Sequence, residues 1–186
     1  MMKKYCILII LILNRLLNIS AQETQASLPG ERGDLPSGFM NITLGMDIDS
    51  VKKELETNSW FDYRGDPDVS MLMNGKQQLI ECRGYSFISK GYFQFYNDRL
   101  FIITLVFDLE RLDFYTMHSI LESKYGKASR IDPNGAYWVS SAVNFHLEKP
   151  LSLKYMDKKT LAEISEGRKE IEDKGKRIKE EFLNLF

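Results

Sequence analysis

At 186 residues, 44% hydrophobic and 27% charged, the chain has the size and balance of one ordinary globular domain with appendages, which excludes a disordered chain as the default. Its net charge is −1, and removing the first 21 residues, which carry Lys3, Lys4 and Arg15 but no acid, leaves 22 basic against 26 acidic side chains, a net of −4. A mildly acidic domain lacks the basic footprint that nucleic-acid binding requires.

Residues 1–21 read as a secretory signal peptide. Lys3 and Lys4 precede a nine-residue apolar core, Tyr5 to Leu13, and Ile19-Ser20-Ala21 offers a small-residue cleavage site before Gln22. Asn14 and Arg15 interrupt the core well short of the ~20 apolar residues of a membrane span. The rival reading is an uncleaved anchor with Arg15 reaching back to the interface. No cysteine opens the mature chain, so a lipid anchor there is not supported. Cys6 leaves with the signal, and Cys82 alone cannot form an internal disulfide. Among Leu79, Ile80, Tyr85 and Phe87 it reads as a small buried hydrophobe. Residues 22–38 collect Pro29, Gly30, Gly33, Pro36 and Gly38 and read as a flexible tether. The predicted location is therefore exported: periplasmic or secreted.

Residues 39–157 form the predicted folded domain. Asp47 is placed to cap a helix with Asp49 in its first turn and Ile48, Val51 and Leu55 on one face. Phe61 and Tyr63 suggest a short strand, and residues 64–68 a turn-rich loop. Gln78 to Arg83 and Tyr85 to Ser89 read as strands, or as one strand bulged at Gly84. The centre is Gly91 to Asp108, two apolar runs around Asn97-Asp98, a pair suited to a tight hairpin turn. Its second arm is apolar on both faces, as in a strand covered on both sides. Asp113 then caps a second helix carrying Phe114, Met117, Leu121 and Tyr125 on one face, stopped by Gly126. Strands follow at Ala136–Val139, Val143–Leu147 and Leu151–Tyr155. The order predicts an α+β fold: an antiparallel sheet with two helices on one face, organised as two helix-plus-meander halves, and a charged C-terminal helix.

Ile42-Thr43-Leu44-Gly45-Met46-Asp47, followed by Val51 and Leu55, resembles the helix start of the SmpA/OmlA (BamE-like) envelope proteins. Tyr125-Gly126-Lys127-Ala128 is similar to the helix end in these and in β-lactamase-inhibitor-protein-like modules, with Ala128 where proline is usual. The resemblance implies helices packed on an antiparallel sheet and a non-catalytic interaction module of the cell envelope. It departs from those proteins in lacking a lipidated cysteine and in its greater length.

Residues 158–186 are highly charged and helical in composition. Ile164, Ile171, Ile178 and Leu185 recur every seven residues, while the companion positions Leu161, Arg168, Gly175 and Phe182 are apolar only at the two ends. Two readings stand: a solvated helix leaning on the domain, or a docking helix for a protein partner or a second subunit. The candidate partner-binding residues are Ile164, Ile171, Ile178, Phe182 and Leu185.

No catalytic motif is present. Neither His118 nor His146 has a second ligand at metal-binding spacing, and no serine elbow or phosphate-cradling glycine loop occurs. Asp62, Asp66 and Asp68 lie close together, but Pro67 and the missing downstream Glu depart from a calcium loop, so they read as a solvated acidic turn. Arg64-Gly65-Asp66 matches the tripeptide that integrins read, in a loop that Pro67 restricts. No cofactor or metal is assigned. The sequence points to a non-catalytic exported interaction module. The alternatives are a carrier of a small apolar ligand beside the aromatic hairpin, and an enzyme built on one of the histidines.

Overall fold

A computed structural model describes residues 35–71 and 76–186; the predicted signal peptide and all but the end of the tether lie outside the described residues. In chain order the elements are β1 (Gly38–Phe39), β2 (Ile42–Thr43), α1 (Ile48–Thr57), β3 (Phe61–Asp62), a 3-10 turn (Asp66–Asp68), β4 (Val69–Met71), β5 (Gln77–Gly84), β6 (Ile88–Tyr96), β7 (Arg99–Phe107), α2 (Phe114–Tyr125), β8 (Arg130–Asp132), β9 (Gly135–Val139), β10 (Val143–Glu148), β11 (Ser152–Asp157) and α3 (Lys158–Leu183).

Local chemistry sets several of these boundaries. The Asp47 carboxylate accepts the Ser50 amide at 2.8 Å and starts α1. Asp113 accepts the amides of Tyr115 and Thr116 at 2.9 and 3.0 Å and starts α2. Asp157 accepts the Thr160 amide at 2.7 Å and starts α3. Each satisfies an amide that the first helical turn leaves without an internal partner. Gly126 ends α2 at φ 76°, a backbone that glycine adopts without a Cβ clash. Asn97 and Asp98 take φ 48° and 62°, closing the β6–β7 hairpin as expected.

Among the described residues β3 to β11 form one nine-stranded sheet, antiparallel throughout, in the order β3-β5-β6-β7-β11-β10-β9-β8, with β4 also pairing β5. The last strands of the two halves, β7 and β11, lie side by side through the pairs Leu105↔Leu153 and Ile103↔Tyr155. Each half is thus a helix followed by a meander, and the halves join at the centre of the sheet. The register places Val69, Ile80, Phe93, Ile103, Tyr155, Phe145 and Trp138 in one row on one face. Both α1 and α2 cover that face. Ile48, Val51 and Leu55 of α1 and Leu121 of α2 join the same core, with Phe114, Met117 and Tyr125 packed half-buried against it. Each fully buried large side chain there contributes about 1.5–3 kcal/mol. The fold is the α+β arrangement expected.

Details differ from expectation. Tyr85–Phe87 is a turn rather than a strand, and Gly84 is not a bulge but the end of β5. Ser86 takes φ 58°, and the Ile88 amide donates to the Tyr85 carbonyl at 3.1 Å. The irregularities in register fall instead between β6 and β7, at Ile88/Lys90 and Gln94/Phe95. On the second arm of the hairpin, Ile102 and Val106 are only half-buried. That face of β7 is thus partly open, with only Thr104 between them buried. The strands β1, β2, β4 and β8 escape prediction because two or three residues are too short to display a period.

Candidate functional site

Opposite the helices, the sheet presents a polar, mostly half-buried face. Its register builds a row of reactive groups: Arg130, Tyr137, His146, Lys154, Thr104, Tyr92 and Glu81. The His146 Nδ1 lies 3.6 Å from Glu148, whose other oxygen takes the Lys154 ammonium. The Tyr137 ring stands edge-on to His146 at 4.7 Å, and the Arg130 guanidinium covers Tyr137 at 4.1 Å. The Tyr137 hydroxyl donates to Asp132 at 3.2 Å. Here a histidine does meet an acid, but the acid is already neutralised by Lys154. No hydroxyl or thiol is hydrogen-bonded to the imidazole among the described residues. The cluster ties β8 to β11 together across the open face.

Burial holds His146 below its ordinary pKa of 6.5, against the opposing pull of Glu148. The unfolded chain therefore binds the extra proton first, and stability falls as pH drops below about 6.5. The capping carboxylates of Asp47 and Asp113 add to this only at lower pH. Asp113 is held below its ordinary 3.8 by the Thr116 hydroxyl and amide, so its contribution is present above that value and lost below it. Between pH 7 and 5, thermal melts of the parent are expected to fall with acidification, and those of His146→Gln to fall less. Equal slopes for the two proteins would show that His146 does not carry the effect.

His118 packs rather than reacts. Its ring stacks on Phe114 at 6.2 Å and lies 5.8 Å from Trp138, with Nε2 buried and without a hydrogen-bond partner. Cys82 is buried, its Sγ 3.9 Å from the Gly91 carbonyl, and burial, reinforced by Asp68 and Asp62, pushes the thiol up to about 12. A thiol at that value holds almost no thiolate at neutral pH. Cys82 is expected to resist a thiol-specific alkylating reagent at pH 8 in the folded protein and to react fully in urea. Rapid labelling without denaturant would contradict its placement.

Of the acidic turn, Asp66 is exposed and Asp62 half-buried, but Asp68 is not solvated as expected. Asp68 is 4% exposed because it accepts both the backbone amide and the Nε of Arg64 at 2.9 Å. Burying a carboxylate requires such a partner. The guanidinium of the Arg64-Gly65-Asp66 tripeptide is thereby engaged within its own loop. Since β3 pairs β5 at Arg83–Gly84 and β4 pairs it at Gln78–Ile80, the loop leaves a cleft of about 290 Å³ at the sheet edge, lined by Arg64, Pro67, Asp68, Ser70, Glu81, Cys82, Arg83 and Lys90.

The predicted partner-binding residues lie on α3, except Leu185 just past its end, and the structure separates them. Leu161 and Ile164 are half-buried where the helix leaves β11, whereas every residue from 165 onward is exposed. Ile171 is 73% exposed, Ile178 66%, Phe182 58% and Phe186 96%, with Leu185 similarly open. Ile164 and Ile171 also line a groove of about 320 Å³ between α3 and the end of the sheet, with Gly167, Arg168, Lys76, Gln77 and Tyr96 completing it. Sequence reasoning missed the groove, because Tyr96 and Gln77 reach α3 only through the pairing of β5 with β6. No described helix is long and apolar enough to cross a membrane.

The model of the TP0088 domain matches residues 37–167. The chain belongs to the TP0088 domain family. The matched stretch runs from the residue before β1 through the sheet and into the first turns of α3. It ends at Gly167, so that Leu161 and Ile164 fall within the TP0088 domain and Ile171, Ile178, Phe182 and Leu185 lie beyond it. No curated protein and no solved structure matches the chain.

Proposed function

We propose that the protein is a non-catalytic, exported interaction module of the cell envelope, and that α3 is its docking element. The observation that carries this reading is the apolar stripe of α3. Ile171, Ile178 and Phe182 stand exposed along a 26-residue helix, with Leu185 and Phe186 just past its end, and every residue from 165 onward is exposed. A helix in water draws most of its stability from a covered apolar face. Here the cover must come from outside the domain.

The packed hairpin supports this reading over that of a carrier. Phe93, Phe95, Ile103 and Leu105 are fully buried and fill the space beside the hairpin that a ligand would need. Neither the loop cleft nor the helix groove contains a histidine, which weighs against an enzyme. The signal-like residues 1–21 and the resemblance to BamE-like envelope proteins support an exported location.

The test is site-specific photo-crosslinking in intact cells, with the probe at Ile178 and, as control, at exposed Glu110. A discrete adduct from Ile178, absent from the control, is the expected result. An adduct from a probe at Asn144 on the open sheet face, with none from Ile178, would move the docking surface to the sheet. Adducts from neither would overturn the module.

A further inference from the structure

We propose that the free length of α3 docks antiparallel onto α3 of a second copy of this chain, an inference that rests on reading α3 as the docking element. Leu161, Arg168, Gly175 and Phe182 occupy heptad position a, and Ile164, Ile171, Ile178 and Leu185 occupy d. The first pair of each set leans on the domain or its groove, and the remainder is exposed. The seam meets itself differently in the two orientations.

Parallel pairing sets like against like. Arg168 would face Arg168, and Gly175 would face Gly175, leaving the middle of the seam without side chains. Lys174 at g would be brought against the second copy's Lys179 at e, a repulsive pair. Antiparallel pairing sets a against d and removes all three faults. The second copy's Ile178 fills the space over Gly175, and its Phe182 packs on Ile171. Arg168 falls opposite the second copy's Leu185 at the end of the overlap, where a long cationic side chain can reach water. The flanks then match e with e and g with g. Glu172 meets Lys179 and Lys174 meets Glu181, opposite charges at both contacts. In the isolated chain Glu172 pairs with Lys176 of its own helix at 2.9 Å, an exposed contact that leaves its second oxygen open to a second cation.

The groove fits the same register. The second copy's Phe186, three residues past the end of its helix, 96% exposed and edge-on to Phe182 at 5.3 Å, falls near Gly167. There the groove opens between Ile164, Ile171 and Tyr96. The overlap spans about 27 Å at about 1.5 Å per residue, which makes the dimer weak and concentration-dependent.

Sedimentation equilibrium of the full chain, from about 1 μM to about 100 μM, is expected to show a reversible monomer–dimer equilibrium. Lys179→Glu separates the orientations. In the antiparallel dimer it sets Glu172 against a glutamate twice and is expected to weaken association about tenfold. In a parallel dimer it would relieve the Lys174–Lys179 repulsion and tighten association. The double variant Glu172→Lys/Lys179→Glu restores opposite charges and is expected to return affinity to within about threefold of the parent. A monomer at every concentration, tightening by Lys179→Glu, or no response to it would each overturn the proposal. A monomer that still yields an Ile178 adduct with a different protein overturns the second copy alone and leaves the docking function standing. Loss of both takes both readings.

Discussion

Trp138→Ala is expected to destabilise the fold by about 3–5 kcal/mol, a large part of the ~5–15 kcal/mol that holds a domain together. Trp138 is fully buried, with Phe145 and His118 each 5.8 Å from its ring. Its Nε1 donates to the Gly126 carbonyl at 2.7 Å. Gly126 is the residue that ends α2, so this side chain both fills the second half of the core and fastens the end of the helix to β9. Truncation leaves a cavity and a carbonyl without its donor. Thermal melts should shift down by roughly 6–20 °C for a chain of this size. Trp138→Phe, which keeps an aromatic ring and loses the hydrogen bond and part of the volume, should shift by less. Equal losses for alanine and phenylalanine would mean that the ring does not occupy the core as described.

Gly91→Val is expected to cost about 2–4 kcal/mol and to detach β3 first. A Cβ at Gly91 would lie 2.7 Å from the Phe61 ring and 3.1 Å from that of Phe93. Phe61 is buried there, edge-on to Phe93 at 5.5 Å and to Phe39 at 6.1 Å. The side chain that Gly91 lacks is thus the space through which Phe61 carries the start of the domain onto the sheet. Valine must expel that ring, and an edge strand of two residues has little else to hold it. Hydrogen exchange should rise at Phe61 and Asp62 before the centre of the sheet loosens. Phe61→Leu, which removes much of the clash, should cost less in the Gly91→Val background than in the parent. Additive costs would sink the idea that the two residues share one space.

What was legible in the sequence was local. Asp47 and Asp113 announce their helices because a cap bonds to an amide two or three residues away, and the stripes that follow repeat every three or four residues. Asn97-Asp98 announces its turn because few residues accept the left-handed backbone. Gly126 marks a helix end for the same reason. The seven-residue spacing along α3 was likewise readable, and with it the residues that now form the exposed seam.

Only the tertiary structure decided the rest, because it depends on pairings between residues distant in the chain. Nothing local states that β7 lies against β11, yet that pairing joins the halves and aligns His146 with Lys154 and Thr104 across the open face. Asp68 reads as a solvated acid until the loop folds back and Arg64 encloses it. Gly91 gives no sign of Phe61, thirty residues earlier. The seam of α3 could not show by its spacing where it stops touching the domain. Burial by the sheet ends at Ile164, and the groove beside it is completed by Tyr96 and Gln77 on strands whose register is set elsewhere. Periodicity records which side of an element is apolar; what covers that side is settled by the packing of the whole chain.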